Sequence, residues 1–157
     1  LPNLPVGNDE MEAVLGMSGD TPSRVRKMIL RSNAITSRYY AIDPKTRRAT
    51  HSNTELAALA VRGLLAQGLR AEEIGSLCCG TSYPDQIMPG HAVMVHGLLP
   101  EIPPCEVVST AGVCVAGMAA MKQAERAVRT GECREAVAAA SEAASGWLRI
   151  SPWRCWR

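Results

Sequence analysis

The sequence contains no block of like charges, no C-x-x-C pair and no long, strongly apolar run. Each absence excludes a class. With a net charge of +2 and no charge block, nothing argues for an interaction tail or a nucleic-acid surface. The longest uncharged stretches, such as residues 107–121, are rich in Gly, Ala, Ser and Thr. They lack the roughly 20 strongly apolar residues of a membrane span. Residue 1 is Leu, and no charged segment followed by an apolar one opens the sequence, so no secretory leader is expected. The expected location is cytoplasmic.

Six cysteines are present: Cys78, Cys79, Cys105, Cys114, Cys133 and Cys155. A disulfide framework is not expected, because the chain is long and its cysteines lie inside apolar segments. Metal ligand spacings are missing as well. Cys78 and Cys79 are adjacent and would point to opposite faces of a strand, and His91 and His96 are five apart, off a common helix face. No metal site is therefore expected. A length of 157 residues suits about one domain that buries its own core.

What is present is an alternation of helix and strand patterns. Asn8 is a candidate N-cap, acidic residues fill the following turn, and Gly16 closes a short helix. A second helix runs from Thr21 or Ser23 to Arg31, with Pro22 near its start. Residues 37–42 read as extended and 44–51 as a basic loop after Asp43-Pro44. Ser52-Asn53-Thr54-Glu55 fits a capping box, and Leu56, Leu59, Ala60, Gly63 and Leu64 form an apolar stripe ahead of Gly68. "IGSLCCGTS" has no polar alternation, the signature of a strand buried on both faces. A short helix over 91–99, an apolar strand after a proline-rich turn, a helix over 112–130 closed by Gly131, and a strand in "CREAVAAASE" follow. This order predicts an α/β fold with βαβ units and a mostly parallel sheet. The tail over 143–157 departs from the pattern. All three tryptophans fall in its last eleven residues, which suggests a chain that stops inside a domain after residue 142.

Cys114 lies where a strand pattern turns into a helix whose charges, Lys122, Glu125, Arg126 and Arg129, all fall in its second half. The first half, 113–121, is expected to be buried on all sides. Gly117 would cost about 1 kcal/mol in a helix interior, so it marks a close backbone approach. Unpaired N–H groups and the dipole at a helix start favour an anion such as a thiolate, and supply donors for an oxyanion. Two readings stand: a buried small hydrophobe, the common fate of free cysteine, or a nucleophile. Position alone favours the first.

The order of motifs reverses that preference. "STAGVCVAGMAAMKQAERAVRTGECREAVAAASE" resembles the nucleophile segment of the thiolase superfamily, and more narrowly that of the β-ketoacyl-[acyl-carrier-protein] synthase III family. In that family a strand delivers a cysteine to the start of a long buried helix, and the next strand ends in Ser-Glu or Ser-Asp. The matching features are Cys114, Gly117, the stretch from Gly131 to Ala136, and Ser141-Glu142. Upstream, "IGSLCCGTSYPDQIMPG" is similar to the family's strand ending in Thr-Ser, and Arg31, Ile35 and Arg38 fill an Arg–x–x–(Gly/Ala)–Ile–x–x–Arg pattern. The resemblance covers nearly all of residues 4–142. One departure is Cys-Val-Ala-Gly in place of the Cys-x-Gly of bacterial initiation synthases, which is closer to thiolases and plant-type polyketide synthases.

The resemblance implies the first βαβαβ half of a thiolase-like fold, with a buried central helix after the nucleophile. It implies acyl transfer to Cys114 from coenzyme A or an acyl carrier protein, then decarboxylative Claisen condensation with a malonyl thioester, as in fatty acid or polyketide biosynthesis. No cofactor is implied beyond the coenzyme A or phosphopantetheine thioester that serves as substrate. By the same resemblance Arg31 would contact the substrate, the other reading being a solvated helix end favourable to the dipole; Met118 and Met88 would line an acyl tunnel, the other reading being adaptable core packing; and the full-length form would be a homodimer. The His and Asn that complete the chemistry would come from a second half of the fold. His51, His91 and His96 all precede Cys114 and are assigned no catalytic role. Two other readings remain: a non-catalytic, truncated synthase-like protein that pairs with another chain, and a plain α/β domain with an inert cysteine.

Overall fold

The computed structural model describes residues 3–16 and 25–145. The chain divides into two compact units, one from residues 1–51 together with 143–157, the other from Ser52–Glu142. The expected helix start at Thr21 or Ser23 and the Trp-rich residues 146–157 lie outside the described residues. No described helix is long and apolar enough to cross a membrane.

In the first unit, β1 (Val6–Gly7) pairs antiparallel with β2 (Ser37–Arg38). Helices α1 (Met11–Leu15) and α2 (Arg26–Asn33) fall between them in sequence. Gly16 ends α1 at φ 88°, as expected, but Asn8 does not cap it. Its side chain donates instead to the Ile35 carbonyl at 3.0 Å, which ties the two strands together at one end of their pairing. Only two residues of the expected 37–42 strand are in β2, while Ile42 bridges Ala49 across the Asp43-Pro44 turn. Asp43 Oδ1 accepts from the amides of Lys45 and Thr46, the local bonding that makes Asp a turn former. Val14, Tyr40 and Ile42 form the small core of this unit. The first residues of the tail belong here, since the Ala41 amide donates to the buried Ser145 hydroxyl at 3.1 Å.

Ala34 caps α2 in the left-handed conformation at φ 55°. A Cβ is disfavoured there by roughly 1–2 kcal/mol, and glycine returns part of that gain as unfolded-state entropy. We expect Ala34→Gly to stabilise the chain by about 0.5 kcal/mol, read as a higher denaturant midpoint at unchanged slope. A lower midpoint would contradict the cap assignment.

The second unit is built on a parallel sheet of order β4-β3-β5, from β3 (Ile74–Thr81), β4 (Glu106–Ala111) and β5 (Glu135–Ala140). Helix α3 (Asn53–Leu65) precedes β3, α4 (His91–Gly97) joins β3 to β4, and α5 (Ala116–Arg129) joins β4 to β5. The first crossover steps outward from β3, and the second steps back across it. Two right-handed crossovers in opposite directions put their helices on opposite faces. Accordingly Cys79 and Leu77 pack with Ala92, Val95 and Leu99 of α4 and Ala57, Ala58 and Val61 of α3. Cys78 packs on the other face with Ala120 and Ala124 of α5. The adjacent cysteines thus part to opposite faces, and β3 is covered on both sides, as its unbroken apolar run requires.

The capping box forms as expected. Ser52 Oγ accepts from the Glu55 amide at 3.1 Å, and Glu55 accepts from the Ser52 amide at 2.7 Å. The expected apolar stripe is wrong. The buried face of α3 is Asn53, Thr54, Ala57, Ala58 and Val61, while Leu59 and Leu64 are exposed. The segment is apolar nearly all round, so periodicity could not choose a face. The alanine face wins because small side chains let α3 close on α4 and β5.

The apolar strand β4, with β3 as its one neighbour among the described residues, is half-exposed. A further expectation changes. Helix α5 is not buried on all sides. It buries Ala116, Ala120, Ala124 and Ala127, whereas Val113, Val115, Met118 and Met121 are more than half exposed. The alanine face presses onto the sheet, and no described residue covers the opposite side. Gly117 does mark a close approach, since a Cβ there would lie 2.8 Å from Ala140 Cβ.

Candidate active site

Because the sheet is parallel, its carboxyl ends lie together, with Thr81 beside Ala111 and Gly80 beside Ala140 in register. Loops leaving this edge carry the candidate chemistry, as in open α/β sheets generally. Cys114 sits in the four-residue connection from β4 to α5. The helix begins later than the 112–130 pattern suggests, with Val115 as N-cap and Ala116 as first residue, so Cys114 precedes it.

The connection is forced into a tight path. Gly112 takes φ 143°, a conformation that side chains rarely adopt, and its carbonyl accepts from the Ala116 amide at 3.1 Å. Cys114 itself takes φ 63°. A non-glycine residue in this region carries strain of order 1–3 kcal/mol, which persists only where surrounding structure imposes it. Here Thr110 Oγ1 donates to the Ala116 carbonyl at 2.8 Å, and α5 lies directly on Gly80 of β3. The turn lifts the Cys114 side chain into solvent, so the thiol is exposed and free. No side chain caps α5, so its positive end, two residues past Cys114, carries no side-chain acceptor.

The other cysteines of this unit are set apart by environment. Burial pushes the Cys79 thiol up to about 12, with smaller contributions from Cys78 and Cys105. Burial also raises Cys78, Cys105 and Cys133. Cys114 is the one described cysteine classed as exposed. Cys155 lies outside the described residues.

Of the remaining candidates, Met118 is 62% exposed and lines an open, largely apolar groove of about 510 Å³ with Val115, Ala119, Met121, Lys122 and Glu125. This groove starts one residue past Cys114. Met88 is exposed in the loop after β3 and does not line it. Arg31 is an exposed residue of the last turn of α2, in the first unit.

A polar cluster at the same sheet edge, buried at Asn53, Thr54, Thr81 and His91, went unrecognised in the sequence. Asn53 Nδ2 donates to Thr81 Oγ1 at 2.7 Å and to the Tyr83 carbonyl at 2.9 Å. Asp85 accepts from the amides of Asn53 and Thr54 at 2.9 and 2.8 Å and from Thr54 Oγ1. Ser141 joins the end of β5 to this cluster, its hydroxyl donating to the Asn53 carbonyl at 3.2 Å and meeting His91 Nε2 at 3.3 Å. Glu142 accepts from the Ser82 amide at 2.5 Å. Thr81, Ser141 and Glu142 are the residues that the family resemblance placed at strand ends. Their pairing with Asn53, Asp85 and His91 has no local signature.

The fold is shared with solved structures. AbyA1, a tetronic acid condensing enzyme, superposes with a TM-score of 0.75 over 93% of this chain and 44% of its own, at 24% identity. The fold is that of the thiolase-like condensing enzymes. Among curated proteins, the β-ketoacyl-[acyl-carrier-protein] synthase III of Sphingopyxis alaskensis is 36% identical over 97 residues, 62% of this chain and 29% of that protein. The corresponding synthase of Xanthomonas axonopodis pv. citri is 26% identical over 154 residues, 98% of this chain and 42% of that protein. No family model matches. The chain therefore spans less than half the length of the condensing enzymes it resembles, and the matched part is their N-terminal portion.

Proposed function

We propose that this chain carries the acyl-accepting half of a ketosynthase III-type acyltransferase, with Cys114 as nucleophile. The observation that supports this most is the strained, exposed placement of Cys114 at φ 63° between β4 and α5. In the proposed reaction the Cys114 thiolate attacks the carbonyl of an acyl thioester. A new carbon–sulfur bond forms, and the coenzyme A or carrier-protein thiol leaves. A malonyl thioester then loses CO₂, its carbanion attacks the acyl-enzyme carbonyl, and the Cys114 thiolate is released. The second step calls for a His and an Asn or second His, which by family likeness belong to the portion of the relatives outside the matched region. No metal or cofactor is required. Arg31 would meet the phosphates of the coenzyme or the phosphopantetheine, and Met118 would line the acyl chain's path. The full-length form would be a cytoplasmic homodimer.

The exposed apolar side of α5 favours a second reading, in which the chain is a synthase-like partner that pairs with another polypeptide and performs no condensation itself.

Both readings meet one experiment. A Cys155→Ser chain is treated with iodoacetamide near pH 8 and mapped by mass spectrometry. We expect Cys114 to label first, faster than in the urea-unfolded chain, and prior incubation with an acyl-coenzyme A to block it through a thioester adduct. Labelling no faster than in urea would remove the nucleophile. Rapid labelling without acylation would favour the pairing reading. No β-ketoacyl product is expected from these 157 residues with malonyl thioester.

A further inference from the structure

His91 is the first residue of α4 and is 3% exposed, yet its Nδ1 has no hydrogen-bond partner. Its Nε2 lies 3.3 Å from Ser141 Oγ. The direction of that bond follows from the neighbours. A hydroxyl has one proton, and the Asn53 carbonyl, 3.2 Å from Ser141 Oγ, can only accept it. Ser141 Oγ must therefore accept from His91, which fixes the neutral ring as the Nε2–H tautomer with a lone pair on Nδ1.

We propose that His91 is an acid-sensitive latch, holding the starts of α3 and α4 to the ends of β3 and β5 while its imidazole is neutral. Ser141 is the bolt. Its hydroxyl joins α3 through the Asn53 carbonyl and α4 through His91, and its amide donates to the Gly80 carbonyl of β3 at 3.2 Å. The start of α4 is also pinned to β4, where Ser109 Oγ accepts from the Ala92 amide at 2.8 Å. Gly80 in turn underlies Ala116, two residues beyond Cys114, so the latch acts on the strand end that supports the cysteine turn.

Protonation would add a second N–H, on Nδ1, with no acceptor in reach, and a charge inside a desolvated cluster. An unpaired donor on a buried cation costs far more than an unpaired lone pair. The charged groups acting on His91 are Asp85, in the loop after β3, and Glu142, after β5. Both favour the cation. The start of α3 presents only neutral Asn53 and Thr54, with Glu55 engaged at the Ser52 amide, and β4 presents Ser109. On α4 itself, His96 faces the Pro103 carbonyl. Desolvation outweighs the two carboxylates and holds His91 below the ordinary histidine value. Above about pH 6.5 both folded and unfolded chains carry neutral His91, and its contribution is complete. As pH falls below that, the unfolded chain takes up a proton that the folded chain resists, and stability is lost toward the folded value.

The test uses the full chain with His51→Gln and His96→Gln, which leaves His91 as the single histidine. Nitrogen-15 NMR across pH is expected to show the Nε2–H tautomer and a midpoint below about 6.5. An Nδ1–H tautomer, or a midpoint at or above that value, would overturn the latch. In parallel, the melting temperature should fall between about pH 7.5 and about pH 5.5, and His91→Gln should flatten that fall. An equally steep fall in a folded His91→Gln chain would also overturn it, and if that variant does not fold the NMR titration still decides. Neither readout involves Cys114 reactivity, so this proposal and the nucleophile fail separately.

Discussion

Gly80→Ala is expected to cost at least about 3 kcal/mol, enough to unfold a marginally stable chain. Gly80 lies in β3, paired on one side with Thr110 and on the other with Ala140. A Cβ placed there would come 2.3 Å from the Ala116 carbonyl oxygen, 2.5 Å from its carbon and 2.9 Å from the Gly117 nitrogen. All three are backbone atoms, so no rotamer relieves the clash. Strand β3 cannot retreat because it is hydrogen-bonded on both edges and covered on both faces. Helix α5 would have to lift off the sheet. That would break the 2.8 Å bond from Thr110 to the Ala116 carbonyl and separate the Ala116 and Ala120 face from Cys78. Overpacking of flexible side chains costs typically 1–3 kcal/mol, and rigid backbone belongs at or above the upper end. Urea unfolding checks this, and a loss under about 1 kcal/mol would mean that α5 is free to move. Should the variant stay folded, Cys114 labelling should fall toward the urea-unfolded rate, because the support that holds its strained turn is gone.

Asp85→Ala should cost about 2 kcal/mol at neutral pH. Its carboxylate accepts from the Asn53 and Thr54 amides and from the Thr54 hydroxyl, at the positive end of α3. Asn53 and Thr54 are buried, so removal strands donors that water reaches poorly. The carboxylate's own edge is exposed, which keeps the loss below the sum of three buried bonds. Burial would raise the Asp85 pKa, but the bonds from Thr54 and Asn53 outweigh it, with His91 adding a smaller effect, and hold it below the ordinary 3.8. A depressed carboxyl stabilises fully above its unfolded value and loses that contribution as pH falls through its folded value. The gap between parent and Asp85→Ala should therefore be constant from about pH 5 to 8 and close below about pH 4. That window is separate from the one assigned to His91. Asp85→Asn, which keeps one acceptor, should fall between the two. Denaturant midpoints for the three chains across pH decide it, and a gap that persists unchanged at pH 3 would exclude the carboxylate as its source.

Much of the chain's organisation was legible as sequence. The capping box at Ser52, the two-sided burial of "IGSLCCGTS", the opposed faces of Cys78 and Cys79, and the meaning of Gly117 rest on local rules with fixed periods. Those rules work where a neighbour in sequence is also the neighbour in space. They failed where several distant segments share a decision. The buried face of α3 passed to Ala57, Ala58 and Val61 because an all-apolar segment leaves the choice to whatever it packs against. The cluster around His91 draws on five separated segments, and no spacing announces it. His91, to which the sequence assigns no catalytic role, is among the most buried polar groups of the described residues.

By itself the sequence determined that this is an α/β chain of βαβ units with a cysteine at the junction of strand and helix, because hydrophobic period and glycine placement are written locally. The tertiary structure decided how that cysteine is held. The sequence suggested a buried helix start, and the fold instead presents an exposed thiol ahead of the helix at a left-handed φ. That outcome depends on α5 resting on Gly80 and on Thr110 holding the Ala116 carbonyl, contacts between strands and helix that arise only once the parallel sheet has closed.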